Sequence, residues 1–274
     1  HSNNKFTYLI GVRNRSNQNL LSSQETRGAY IPQSADIQTV LTYSFNPKWQ
    51  VEGLVTHSAT KFTLIPESSQ LTSSVFSPFF SANLGLDIYF EGKESDQYST
   101  SMQGFSATYQ PNSTLKLKWM LSHFSNEEAE RYDITGAYLF GERNFDRSKL
   151  DFGSITNALG SGLFQQFARN QLSINNITAS HKGQFSYKKN LFNWGLTVEK
   201  SSINDNLKEW ERQDSAGYTL PLSNNQLILS KTVQNAIQLT VNRLSGYLQQ
   251  NMPLGDSTGI TLSGGIRFNF NNLN

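Results

Sequence analysis

Two acidic runs carry the chain's densest potential for ligand chemistry. Glu127, Glu128, Glu130 and Asp133 fall close together, and Asp205, Glu209, Glu211 and Asp214 form a second group around Trp210. Grouped carboxylates are the oxygen ligands that Ca²⁺ takes, and the Trp210 indole offers a flat face to a sugar or a peptide. The plainer reading is a charged, solvated loop, and the 127–133 run lacks the Asp/Asn/Gly spacing of a recognised calcium loop. Nucleophile chemistry is poorly supported. No serine lies in a Gly-x-Ser-x-Gly elbow, and His1, His57, His123 and His181 include no pair at zinc spacing. These histidines are expected to be ordinary lumen-facing or loop residues. Gly160-Ser161-Gly162 is no phosphate loop, because no lysine follows and no strand-to-helix switch surrounds it. The chain is therefore expected not to be an enzyme, with no catalytic residue, no cofactor and no resident metal. The eight residues Glu127, Glu128, Glu130, Asp133, Glu209, Trp210, Glu211 and Asp214 stand as candidate ligand contacts.

What positions them is a β framework. Period-2 alternation runs through segments of about ten residues. Ile37, Thr39, Leu41, Tyr43 and Phe45 share one face, and Trp49, Val51, Gly53 and Val55 share another. Leu115, Leu117, Trp119 and Leu121 oppose Lys116, Lys118 and Met120; Phe192, Trp194, Leu196 and Val198 oppose Asn193, Gly195, Thr197 and Glu199. At the end Ile266, Phe268 and Phe270 oppose Gly265, Arg267 and Asn269. The pattern predicts about nine strands, at 5–13, 36–46, 49–60, 98–110, 114–125, 172–187, 191–203, 235–250 and 257–270.

The connections alternate in length. Short turns fall at 46–48, 110–113, 188–190 and about 251–256, with the Pro, Asn and Asp content of tight turns. Between them lie four long segments, 14–35, 61–97, 126–171 and 204–234, which read as loops. Soluble sandwiches keep both ends short, whereas outer-membrane barrels pair short periplasmic turns with long extracellular loops. On that reading Tyr43, Phe45, Trp49, Tyr109, Tyr187, Phe192 and Trp194, all beside the short turns, form an aromatic girdle at the lipid headgroups. The face bearing Lys116, Lys118, Glu199 and Arg267 then points into the lumen, since a charge at mid-depth on the lipid face costs about 2–4 kcal/mol.

Composition narrows the classes further. The chain has 274 residues, 36% of them hydrophobic and 12% aromatic, with a mean hydropathy of −0.48. No stretch approaches the roughly 18 apolar residues of a membrane helix, and aromatics spread along the chain argue against disorder. A formal charge of +2 with scattered Lys and Arg points to no nucleic-acid partner. The chain has no cysteine, so no disulfide or thiolate site exists.

Several extended stretches resemble one family. "LDIYFEGKESDQYST" and "GFSATYQPNSTLKL" (86–117), "SNEEAERYDITGAYLFGE" (125–142), "ARNQLSINNITASHKGQF" (168–185) and "NWGLTVEKSSINDNLKEWERQDSAGYTLP" (193–221) are similar, in order and spacing, to segments of TonB-dependent outer-membrane receptors of the Bacteroidetes type. The resemblance implies a 22-stranded barrel around a plug, importing a scarce ligand with energy delivered through TonB. It places residues 1–274 as a single domain, the N-terminal part of such a barrel truncated at both ends, and puts the plug and its TonB contact outside this chain. The expected fold is all-β, an antiparallel transmembrane β-barrel segment, located in the outer membrane of a Gram-negative bacterium. Its expected partners are outer-membrane lipid, an unidentified extracellular ligand and, through the plug, the TonB complex. The competing readings are a secreted or surface-attached β-rich binding module and a passive outer-membrane porin.

Overall fold

The computed structural model describes residues 5–16, 28–77, 80–216, 228–255 and 260–273. These residues form one antiparallel sheet of ten strands: β1 (Phe6–Ser16), β2 (Gly28–Asn46), β3 (Trp49–Pro66), β4 (Ser69–Ser77), β5 (Phe80–Tyr109), β6 (Leu115–Arg143), β7 (Ile155–Tyr187), β8 (Asn190–Ala216), β9 (Ile228–Pro253) and β10 (Thr261–Leu273). Nine strands follow one another as β1-β2-β3-β5-β6-β7-β8-β9-β10, and β4 pairs only with β5. The sheet stays open, with β1 and β10 as its edges.

The first three short turns fall where their residues place them; of the fourth, expected at about 251–256, residues 251–253 belong to β9 and residue 256 lies outside the described residues. Asn46 Oδ1 accepts the N–H groups of Lys48 (2.9 Å) and Trp49 (3.1 Å), closing the first hairpin. Asn112 does the same for Thr114 (3.1 Å) and Leu115 (2.9 Å). An Asn side chain in this role stands in for a backbone turn bond. Between β7 and β8 Tyr187 pairs with Asn190, and Lys188 takes the positive φ (54°) that a two-residue hairpin demands.

The four long loops are corrected. Their described parts are mostly strand: 28–35 belongs to β2, 61–66 to β3, 69–77 to β4, 80–97 to β5, 126–143 to β6, 155–171 to β7, 204–216 to β8 and 228–234 to β9. The nine strands expected become ten, because β4 lies inside 61–97. Gly160-Ser161-Gly162 sits within β7. These extensions mix polar and apolar residues on both faces, so they carry no alternation, yet each pairs with its neighbours, with register shifts at Phe140/Gly141, Glu142/Arg143 and Glu211/Arg212. β7 reaches 33 residues, about 110 Å of extended chain at ~3.3 Å per residue. The turn-distal connections at 17–27 and 217–227 lie outside the described residues.

The sheet's two faces differ sharply near the short turns. One cross-strand row reads Tyr8, Leu41, Gly53, Phe105, Leu121, Ala179, Val198, Leu244, Phe270, each paired with the next. The adjacent row, one residue away and on the other face, reads Thr7, Thr42, Glu52, Ser106, Met120, Ser180, Thr197, Ser245, Asn269. Successive side chains of a strand point to opposite faces, so one surface is nearly all apolar and the other nearly all polar. Lys116, Lys118, Glu199 and Arg267 share the polar face, where Lys118 pairs with Glu52 (3.2 Å) and Glu199 with Arg243 (3.6 Å).

Burial does not resemble that of a compact domain. Among the described residues Ala168 is the single buried hydrophobic, whereas Phe105, Leu121, Val198 and Phe270 are each more than half exposed. The accessible surface is 18684 Å², against about 12,000 Å² expected for a compact monomer of 30.8 kDa. The apolar side chains cover a face instead of filling a core.

Aromatics cluster on the apolar face beside the turns. The Trp49 ring lies 4.5 Å from Tyr109 and 6.1 Å from Trp119, which reaches it across Ala107. Tyr43 meets Phe45 edge-on at 4.9 Å, and Tyr187 stacks on Phe185 at 6.5 Å. Phe192 pairs with Phe185, and Trp194 lies directly over Gly183, whose missing side chain makes the room.

Candidate functional site: a polar cavity with an acidic ladder

The sheet curls around its polar face. One cavity of about 1340 Å³ is lined at a single level by eight strands, through Arg15, Ser34, Thr60, Tyr98, Glu128, Leu172, Asp205 and Ile237 and the backbone on either side of each. These eight residues are successive cross-strand partners. All share the polar face, so that face is the concave one and the sheet is barrel-like.

Further from the short turns, β5 and β6 bring two sequence patterns into register. Glu94, Asp96 and Tyr98 alternate along β5, and Glu128, Glu130 and Tyr132 along β6. Antiparallel pairing sets Tyr98 opposite Glu128, Asp96 opposite Glu130 and Glu94 opposite Tyr132. Carboxylate oxygens of Glu94, Asp96 and Glu130 all lie within 4.8 Å of one another. Just before this ladder β5 passes through Gly92 at φ 105°, where a Cβ would meet the Asp133 carbonyl oxygen at 1.9 Å, so only glycine fits.

Asn170 ties the ladder to β7 and β8. Its Nδ2 donates to Glu130 Oε2 and to Glu209 Oε1, both at 2.8 Å, while its Oδ1 accepts the Lys208 backbone N–H at 3.0 Å. The backbone pairing of β7 with β8 skips residues 169–170, and the Asn170 side chain supplies the bond instead.

Electrostatics on this face is one-sided. Burial, then the Asp96 and Glu130 charges, push the Glu94 carboxyl above the ordinary carboxylate value. Burial and the Glu130 charge push Asp96 up as well. Burial followed by the surrounding carboxylates raises the Tyr98 and Tyr132 phenols. The cations of these segments, Lys93, Arg131 and Arg169, alternate onto the opposite face.

The eight candidate ligand contacts divide between the two faces. Glu128, Glu130, Glu209 and Glu211 lie on the concave face, the last accepting from Gln166 at 3.4 Å. Glu127, Asp133, Trp210 and Asp214 point the other way. Asp133 takes a bidentate bond from Arg169 (2.7 and 2.8 Å), which also lies over Trp210, and Trp210 stacks on Phe167 at 5.0 Å. The two acidic runs thus do not act as units, because alternation within a strand sends neighbours to opposite faces. Glu94, Asp96, Tyr98, Tyr132 and Asn170 were missed. For Glu94, Asp96 and Tyr98 the signal was their period-2 spacing, hidden by reading 61–97 as a loop; Tyr132 and Asn170, in the segment 126–171, join them only through strand pairing.

The histidine expectation is corrected too. His57, His123 and His181 are on the apolar face, neither lumen-facing nor in loops. His123 sits between Gln103 and Asn175 at 3.0 Å each, and His181 accepts from Trp194 Nε1 at 3.2 Å. His57 Nδ1 lies 3.0 Å from Ser101 Oγ, and among the described residues no carboxylate orients it. His1 lies outside the described residues.

No protein-family model, no curated protein and no solved structure matches this chain.

Proposed function

We propose that this chain forms part of the wall of an outer-membrane β-barrel receptor that takes up a ligand from the cell surface. The observation that carries the reading is the pair of adjacent rows across nine strands, one nearly all apolar and the other, Met120 apart, polar. A barrel wall needs an outward apolar band about 25 Å tall with aromatic girdles. On β6 the apolar face runs from Leu115 to Leu121 before His123, roughly 23 Å of strand, which covers about 16–19 Å of that height at a tilt of about 35–45°. The band also slants across the sheet: Val12 and Ile37 occupy the row that holds Ser125, Asn175 and Ser202 on later strands. Strands tilted about 35–45° to the membrane normal produce that slant. A soluble binding module would gather these residues into a core, and the scarcity of buried hydrophobics among the described residues speaks against it.

On this reading the strand extensions rise well beyond the bilayer and carry the acidic ladder into the external medium. Energy coupling through TonB, and a plug outside this chain, are proposed on the family resemblance of residues 86–117, 125–142, 168–185 and 193–221. One observation favours a passive pore as second reading: eight strands, β1 to β3 and β5 to β9, border a single cavity, so this chain lines its own lumen. Collapse of the proton-motive force separates the two, since it stops receptor uptake and leaves passive flux unchanged.

The membrane placement is tested with the four tryptophans. Trp49, Trp119 and Trp194 sit in the apolar band, whereas Trp210 is 16 residues further along β8 than Trp194, ~50 Å of strand. In single-tryptophan proteins reconstituted with brominated lipids, the first three are quenched and Trp210 is not. Four unquenched tryptophans would remove the sheet from the membrane.

A further inference from the structure

We propose that Glu94, Asp96 and Glu130 form a divalent-cation site of Ca²⁺ type on the concave face, held in shape by Asn170. The site goes beyond the receptor reading and does not depend on it.

Geometry is the first argument. Ca²⁺ binds oxygens at about 2.3–2.6 Å, so two ligands on opposite sides of one ion are roughly 4.6–5.2 Å apart. The three carboxylates, with oxygens within 4.8 Å of one another, fit around a single ion. All-oxygen ligation without His or Cys selects Ca²⁺ or Mg²⁺ over transition metals. The ligands come from three points on two strands, with Asn170 and Glu209 adding a polar second layer, which gives the adaptable coordination that Ca²⁺ accepts more readily than Mg²⁺.

The second argument is independent of the clustering. Asp96 is only 7% exposed, and its Oδ1 has no hydrogen-bond partner. A buried carboxylate oxygen without a donor is costly, and buried polar atoms left unpaired usually mark a missing water or ion. Asp96 sits between Glu94 on its own strand and Glu130 across the ladder, so these neighbours add negative charge, and Glu94, which shares a hydrogen bond with Asp96, leaves Oδ1 without a donor. Asn170, itself 7% exposed, turns its amide donors onto Glu130 and Glu209 and keeps Glu130 aimed at the cluster.

The experiment uses the purified full chain in detergent, stripped with chelator. Ca²⁺ binding is read by calorimetry, and Tb³⁺ luminescence is excited through the tyrosines, with Tyr132 facing Glu94 across the ladder. The expected result is one ion per chain, weakened at least tenfold by Asp96→Asn and by Glu130→Gln and unchanged by Glu67→Gln. Asn170→Ala weakens binding less than either. Should Asp96→Asn fail to fold, Glu130→Gln and Asn170→Ala decide. Absence of Ca²⁺ uptake by the wild-type chain overturns the site, as does uptake that the ladder variants leave unchanged.

Discussion

Leu121→Arg separates a lipid-facing sheet from a water-facing one by magnitude alone. Leu121 lies in the row running from Tyr8 to Phe270, pairs with Phe105 and Ala179, and is 54% exposed. If that exposure is to water, arginine at a surface position away from any special feature changes stability by only about 0.5 kcal/mol in either direction. If it is to lipid near mid-depth, the charge costs about 2–4 kcal/mol. The leucine also gives up roughly 100 Å² of favourable apolar contact, up to about 2.5 kcal/mol at ~25 cal/mol/Å². The expected loss is therefore at least ~2 kcal/mol. Ser122→Arg, one residue away on the polar face, serves as the internal control and is expected to cost less than about 0.5 kcal/mol. The assay is reversible denaturant unfolding of each protein in phosphatidylcholine vesicles. Equal costs for the two variants would refute the two-faced reading, and so would a near-zero cost for Leu121→Arg.

Gly183→Ala places a methyl group 2.1 Å from the Trp194 ring, among the aromatics beside the short turns; it is expected to cost about 1–3 kcal/mol by overpacking, measured as a lower unfolding midpoint with altered Trp194 fluorescence. Arg143 and Asp87 form a buried ion pair, and Arg143 also holds the Gly153 carbonyl at 2.5 Å. Arg143→Ala leaves Asp87 unpaired, at a cost of about 3–5 kcal/mol, and is expected to speed tryptic cleavage at Arg147 and Lys149 in the 144–154 connection. The acidic ladder predicts a pH dependence whose sign follows from the raised carboxyls of Glu94 and Asp96. Between the unfolded values, 4.5 and 3.8, and the higher folded ones, the folded chain binds more protons than the unfolded chain. Stability of the extensions therefore falls as pH rises through that window when divalent cations are absent. Limited proteolysis in chelator from pH 4 upward is expected to quicken with pH, and Asp96→Asn to blunt the trend; a flat profile would contradict the crowding.

What the sequence determined by itself was local. Asn46 and Asn112 carry the side chains that close their turns, and alternation alone assigned Lys116, Lys118, Glu199 and Arg267 to one face and Leu117, Trp119, Leu121 and Trp194 to the other. Both follow from geometry within a few residues of chain, which the sequence contains in full. Strand length was decided elsewhere. Residues 126–143 and 155–171 mix polar and apolar residues on both faces, so no periodicity marks them, and they are strands because each finds hydrogen-bonded neighbours in the sheet. The candidate site was split by the same cause. Glu127 and Glu128 are adjacent in the chain yet face opposite ways, whereas Asp96, Glu130, Asn170 and Glu209 meet only through the register of four strands. Register and curl are properties of the assembled sheet, set by cross-strand pairing between residues far apart in sequence. They turned a scatter of carboxylates into one ladder above one cavity.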